Sequence, residues 1–251
     1  MEVTKHICFS PKKAPELLNY LHKYGIPYKS TGNILTMDIW ESDPHWPYIE
    51  SCVQTQRLVC VSETLFSPKE LQDAQWLCVR SKWLCGYPQP ENRFAYRDRT
   101  YAPESYCQTC KSGLVQKDAF QIKSSPKWGK RHFMMLNWVG DELFLDSIAK
   151  KILEEADFSG ISYSEVKNSK GDSAYEDVYQ LVIPTLQEDS FLPNPLIVRE
   201  INVCPDCGVP KYHPTGVGMY TFQRDAFVAA PDLVKTKEIF GWGGTANHLI
   251  I

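Results

Sequence analysis

Cys107-Gln108-Thr109-Cys110 is answered 97 residues later by Cys204-Pro205-Asp206-Cys207-Gly208. A two-residue spacer lets both sulfurs of a loop turn toward one point. Two such pairs supply four thiolates, a complete tetrahedral shell for Zn²⁺. The expected ligands are Cys107, Cys110, Cys204 and Cys207, in a zinc-ribbon-like clamp. A closed thiolate shell leaves no open position for substrate, so such a zinc is structural. Asp206 and Lys111 then lie beside the ion without ligating it. A redox pair or unrelated buried cysteines are the competing readings. His213 and His132 are alternative ligands, but a complete thiol set makes both surface or hydrogen-bonded histidines.

Outward from the second pair, Ile197 to Val203 reads as a strand that delivers Cys204. Between the pairs, strands are expected at Leu114 to Ile122, His132 to Val139, Ile161 to Val166 and Asp177 to Ile183. Asp146 caps a helix whose Ile148, Ala149, Ile152, Leu153 and Ala156 form an apolar face. Past the second pair, a strand is expected at Met219 to Gln223. Gly216-Val217-Gly218 and Gly241-Trp242-Gly243-Gly244 are Gly-rich turns without the Lys-Ser/Thr of a phosphate loop.

The first hundred residues read as α+β. Glu2 to Phe9 is a strand. Pro15 opens a helix with Leu17, Leu18, Leu21 and Tyr24 on one face, and Gly25 ends it. Ile34 to Trp40 is a strand, Asp43 to Pro47 a loop, and Arg57 to Val61 a short strand. Ser67-Pro68-Lys69-Glu70 has capping-box form and starts a helix to about Trp76. Leu77 to Leu84 returns as a strand. Gly86 to Pro103 carries three prolines and is the linker candidate. The expected architecture is α+β with mixed or antiparallel sheets, divided into residues 1–100 and a zinc-clamped unit 101–251 with a large insertion between the Cys pairs.

Composition narrows the function classes. A formal net charge of −3 and a pI near 6.1 argue against polyanion binding by the whole molecule. No secretory leader or membrane-spanning run is visible, and Cys8, Cys52, Cys60, Cys78 and Cys85 lack pair spacing, which fits a reducing, cytoplasmic setting. No zinc-protease, deaminase or nucleophile-elbow signature is present, so no catalytic residues are expected. Charge is unevenly spread. From Lys111 to Arg131, six basic residues face one acidic residue, with Phe120 and Trp128 among them. From Asp141 to Asp189, twelve acidic residues face four lysines. The acidic block, including Glu154, Glu155, Asp157, Glu176 and Asp177, could hold a basic partner protein. The basic block, with Lys123, Lys127, Trp128, Lys130 and Arg131, could grip and stack nucleic acid. In both cases a merely solvated face is the bland alternative.

One internal echo accompanies the pairs. Glu142-Leu143-Phe144 is matched by Glu238-Ile239-Phe240, at nearly the offset of the Cys pairs. With Cys207-Gly208 as a C-x-x-C-G end, residues 104 to 251 resemble bacterial double-CXXCG motif proteins. They are also loosely similar to immunity proteins of polymorphic-toxin systems. The first pair departs from that pattern, reading Cys110-Lys111-Ser112-Gly113, with Gly113 expected to serve the turn. The resemblance implies a cytoplasmic, non-enzymatic protein that binds and neutralises a toxin or effector protein.

Overall fold

The structure, a computed structural model, describes residues 1–195, 197–214, 220–241 and 246–251, with residue 199 described by its backbone alone. The chain is α+β and forms two compact units. The first comprises Met1–Gln75, with described residues of Asn194–Ile197 and Pro214–Tyr220. The second comprises Trp76–Pro193 and described residues of Val198–His213 and Thr221–Ile251.

In the first unit the elements run β1 (Glu2–Phe9), α1 (Pro15–Tyr24), β2 (Lys29–Thr31), β3 (Ile34–Trp40), α2 (Trp46–Thr55), β4 (Val59–Leu65) and α3 (Pro68–Asp73). The sheet order is β2-β3-β1-β4, antiparallel throughout. This is the split βαβ arrangement known as ferredoxin-like. Strand alternation puts Ile7, Phe9, Leu35, Met37 and Ile39 on one buried face. Leu17 and Leu21 of α1 and Ile49 and Cys52 of α2 complete the same core. Gly25 ends α1 in the left-handed conformation, φ 65°. Ser67 and Glu70 form the reciprocal capping box at α3. The opposite sheet face stays open, with Val59 and Val61 61% and 58% exposed. The sequence reading missed α2, because Pro44 and Pro47 look like loop formers. Pro47 instead occupies the first helical turn, where its missing N–H costs nothing.

The second unit begins at Trp76, so the boundary falls well before the expected residue 100. The stretch expected to be a strand, Leu77 to Leu84, makes isolated bridges at Val79 and Leu84. The expected linker is folded: α4 (Tyr96–Thr100) buries Tyr96 and Thr100, and Tyr101 follows them into the core. Aromatic burial outweighs the proline signal there. A five-stranded sheet is built from β5 (Gln121–Ile122), β6 (Phe133–Leu136), β7 (Val139–Leu145), β8 (Ser162–Asn168) and β9 (Ala174–Val182), in the order β5-β8-β9-β7-β6. Helix α5 (Ser147–Glu155) connects β7 to β8. Both sheet faces are covered. Met134, Leu136 and Phe144 pack on one side with Phe120 and Tyr101, and Met135, Leu143 and Leu145 on the other with Ala149 and Leu181. A smaller sheet orders β10 (Val198–Val203), β11 (Pro210–Pro214) and β12 (Ile239–Phe240), with β11 and β12 parallel. The strand expected at 219–223 begins outside the described residues, and its described part contributes only the bridge Phe191–Phe222. Gly216-Val217-Gly218 and Trp242-Gly243-Gly244 also lie outside the described residues.

An ion pair lies inside the second unit. Glu142 Oε1 is 2.6 Å from Lys235 Nζ, and both residues are buried. Gln180 Nε2 donates to Glu142 Oε2 at 3.1 Å and also exchanges hydrogen bonds with Gln116. Burial pushes the Glu142 carboxyl up, against the pull of Lys235. Burial would likewise lower Lys235, but Glu142 and Asp141 carry it up, so the lysine stays charged. Removing one partner strands the other charge in a dry site. Lys235→Met should therefore cost about 3–5 kcal/mol in denaturant unfolding. Adding Glu142→Gln, which keeps an acceptor for Gln180, should recover most of that loss.

Candidate metal centre

The two cysteine loops share one backbone design. In the first, the Cys107 amide donates to the Ser112 carbonyl (2.9 Å) and the Lys111 amide to the Cys107 carbonyl (2.8 Å). In the second, the Cys204 amide donates to the Val209 carbonyl (3.1 Å) and the Gly208 amide to the Cys204 carbonyl (2.9 Å). In both, the residue after the second cysteine is left-handed: Lys111 at φ 61° and Gly208 at φ 72°. That conformation turns the chain back, so that the carbonyl of the residue after it meets the first cysteine's amide. Gly208 adopts it freely, whereas a side-chain-bearing residue pays about 1–2 kcal/mol. The sequence reading gave this turn to Gly113. Lys111 takes it instead, and Gly113 serves a separate close approach, where a Cβ would lie 3.0 Å from the Ser105 carbonyl oxygen.

The loops bring their sulfurs together. Cys107 and Cys204 Sγ are 3.9 Å apart, Cys110 and Cys207 Sγ 3.5 Å. The ligand atoms of all four lie within 4.8 Å of one another, close enough to hold a metal ion. A tetrahedral shell with metal–sulfur bonds of about 2.3 Å has edges of about 3.8 Å. A disulfide needs about 2.05 Å, and these cysteines are free. Thr109 donates its hydroxyl hydrogen to the Asp206 carboxylate across the two loops, and Lys211 donates to the Cys110 carbonyl. Burial acts to raise the Cys110 thiol, but hydrogen bonding with Ser112, Cys207 and Cys204 brings it down to about 6. At Cys207 the Val209 amide acts to lower the thiol, but desolvation and the other three sulfurs carry it up to about 12. His132 pairs with Asp146 (2.8 Å), and His213 is buried on β11; neither belongs to the four-ligand group.

A repeat surrounds the loops. Gln116-Lys117-Asp118-Ala119-Phe120 follows the first pair, and Gln223-Arg224-Asp225-Ala226-Phe227 the second. Phe120 and Phe227 are both buried. Glu142 and Glu238, the acids of the matched triplets, are buried too. Glu238 accepts from the Ser190 and Phe191 amides and the Ser190 hydroxyl. The Gln223 amide in turn donates to the Ser190 carbonyl (2.7 Å). The order Cys pair, Gln-basic-Asp-Ala-Phe, Glu-aliphatic-Phe thus occurs twice. Sequence reading missed the middle element because Gln116 follows Cys110 by six positions but Gln223 follows Cys207 by sixteen.

The other expected sites divide differently. Glu154, Glu155, Asp157, Glu176 and Asp177 are all exposed. Lys150 pairs with Glu154 and Lys151 with Glu155, while Asp177 accepts from the Ser147 amide. Helix α5 turns differently from the expected apolar face: Ala149 is buried, but Ile148 and Ile152 are 56% and 58% exposed. In the basic stretch, Lys123 pairs with Glu91 (2.8 Å), and Arg131 stacks over Trp83. The Trp128 indole packs edge-on to Trp83 and donates to the Asp177 carbonyl, and Lys127 and Lys130 are exposed.

No protein-family model, characterised protein or solved structure matches the chain. The loop geometry makes a reciprocal prediction. Lys111→Gly should raise the stability of the second unit by up to about 1 kcal/mol, and Gly208→Ala should lower it by about the same amount, both read from urea midpoints.

Proposed function

We propose that Cys107, Cys110, Cys204 and Cys207 bind one Zn²⁺ as a structural clamp. We propose further that the chain is a non-enzymatic binding protein of the immunity type, which captures a basic partner protein through the face of α5. The sulfur spacing supports the ion: four soft thiolates with tetrahedral edges and no open position suit structural zinc. The observation that carries the binding role is the exposed pair Ile148 and Ile152, one helical turn apart. Glu155 and Asp157 lie near the helix's C-terminal end, and Asp177 at its N-terminal end. An apolar centre with a charged rim is the anatomy of a protein-recognition patch. The resemblance to double-CXXCG and immunity proteins agrees with this reading.

Native mass spectrometry should find one zinc per chain, and Co²⁺ exchange should give the charge-transfer bands of a tetrathiolate site. Cys107→Ser or Cys204→Ser should release the metal and cost more than about 3 kcal/mol of stability. A variant that stays fully stable without metal would remove the structural assignment.

The partner is sought by retention on the immobilised chain from lysate of the native host. The retained protein should be basic. Ile148→Asp combined with Ile152→Asp should weaken its binding at least about 30-fold, roughly 2 kcal/mol. Binding that survives this change places the interface elsewhere.

A further inference from the structure

The first unit carries a separate set of chemically competent side chains. His6 and Cys8 lie two residues apart on β1, so both project from the open face of the sheet, opposite α1 and α2. Asp38 faces His6 directly across the β1–β3 ladder. His6 Nδ1 is 2.6 Å from Asp38 Oδ1, and Cys8 Sγ is 3.5 Å from His6 Nε2. An ionised carboxylate can only accept, so Asp38 fixes the proton on Nδ1. The Nε2 lone pair then faces the thiol, which donates to it. Proton transfer to Nε2 gives a thiolate beside an imidazolium, itself held by Asp38. This is the order of nucleophile, base and orienting acid that an activated cysteine requires.

Access is open on this face. The side chains of His6 and Asp38 are 48% and 59% exposed. Val59 is paired with Cys8, and Val61 with His6, across the β1–β4 ladder; both valines are more than half exposed. They give an incoming reagent an apolar footing beside the sulfur. The β1 backbone is paired on both sides, with β3 and with β4, so its amides do not converge on Sγ as an oxyanion hole. The site therefore lacks what acyl transfer needs, but it has what disulfide exchange needs: a reachable thiolate and a proton donor for the leaving group.

We propose that Cys8 is an activated, modifiable thiol that exchanges with small disulfides to form a mixed disulfide on the open sheet face. The Cys8 thiolate attacks one sulfur of the disulfide, a new sulfur–sulfur bond forms, and the old one breaks. The departing thiolate takes the proton held on His6. The disulfide is the oxidant, so Cys8 and one half of the reagent end joined while the other half leaves as thiol. The remaining cysteines outside the metal centre differ. Burial pushes the thiols of Cys52, Cys60 and Cys85 up, where they stay protonated, and Cys78, which is exposed, is the accessible thiol against which Cys8 is compared.

The test treats the full chain with limiting oxidised glutathione and follows each cysteine by peptide mass spectrometry. Cys8 should be glutathionylated first, at least about tenfold faster than Cys78. His6→Gln should slow Cys8 at least about tenfold while leaving the Cys78 rate unchanged, and Asp38→Asn should slow it by a smaller factor. Equal rates at Cys8 and Cys78 in the unaltered chain would overturn the proposal, and that comparison needs no variant to fold. An unchanged Cys8 rate in folded His6→Gln would overturn it as well.

Discussion

A left-handed residue after each second cysteine is the constraint on which the second unit turns. Without it the chain after Lys111 or Gly208 would not turn back, and the Ser112 or Val209 carbonyl could not meet the amide of Cys107 or Cys204. Each loop would then be left unclosed at its exit. With it, two loops separated in sequence by the whole five-stranded sheet present their thiols to one point. The long separation is no obstacle, because closing a loop requires only that its ends lie close, and the entropy of closure grows slowly with length. The asymmetry between the loops is informative. One uses glycine, which adopts the turn without strain, and the other a lysine, which does not. Lys111 recovers part of the cost locally: its ammonium bonds Gln108 and lies 5.3 Å from the Tyr106 ring centre.

The same duplication reaches into the core, where its two copies meet different partners. Glu142 and Glu238 both enter the interior, and an unpaired buried carboxylate would not survive there. Glu238 is satisfied by the backbone amides of Ser190 and Phe191 and the Ser190 hydroxyl. Glu142 is satisfied by side chains instead, Lys235 beside the second repeat and Gln180. Its hydrogen bonds thus tie the second repeat to the first. The Cys loops do the same on the outside, so the repeats are joined at two points of different chemistry.

How much of this was legible in the sequence depended on whether the signal was local. The α+β class, β1, α1, β3 and the capping box at Ser67 and Glu70 were readable, because alternation, a C-terminal glycine and a four-residue cap are local patterns. The Cys set was readable because its spacing is chemical. Helix α2 hid behind two prolines, although Trp46, Ile49 and Cys52 have helical spacing. Residues 86–103 looked like a linker because their burial rests on partners far along the chain, such as Phe120 and Trp138. Helix α5 had the amphipathic pattern, but the pattern named an apolar stripe wider than the core could cover. The sheet buries Ala149, and Leu153 packs against that core, while Ile148 and Ile152 remain outside. The Cys8–His6–Asp38 set was invisible for a similar reason: Asp38 meets His6 only through strand pairing.

The charge blocks show why sequence sums overstate electrostatics. Much of the basic and acidic excess is spent inside the unit. Lys167 meets Asp118 and Glu165, Arg99 meets Asp172, Lys123 meets Glu91, and the lysines of α5 meet its own glutamates. Exposed pairs of this kind contribute little stability, but they dilute the field that a partner would feel. An acidic surface laced with its own lysines can steer a basic protein at low salt without holding it. Affinity must then come from desolvated apolar contact, and on this face that contact is Ile148 and Ile152. Under the proposed role, charge selects the partner and sets the encounter rate, while the two isoleucines set how long the complex lasts.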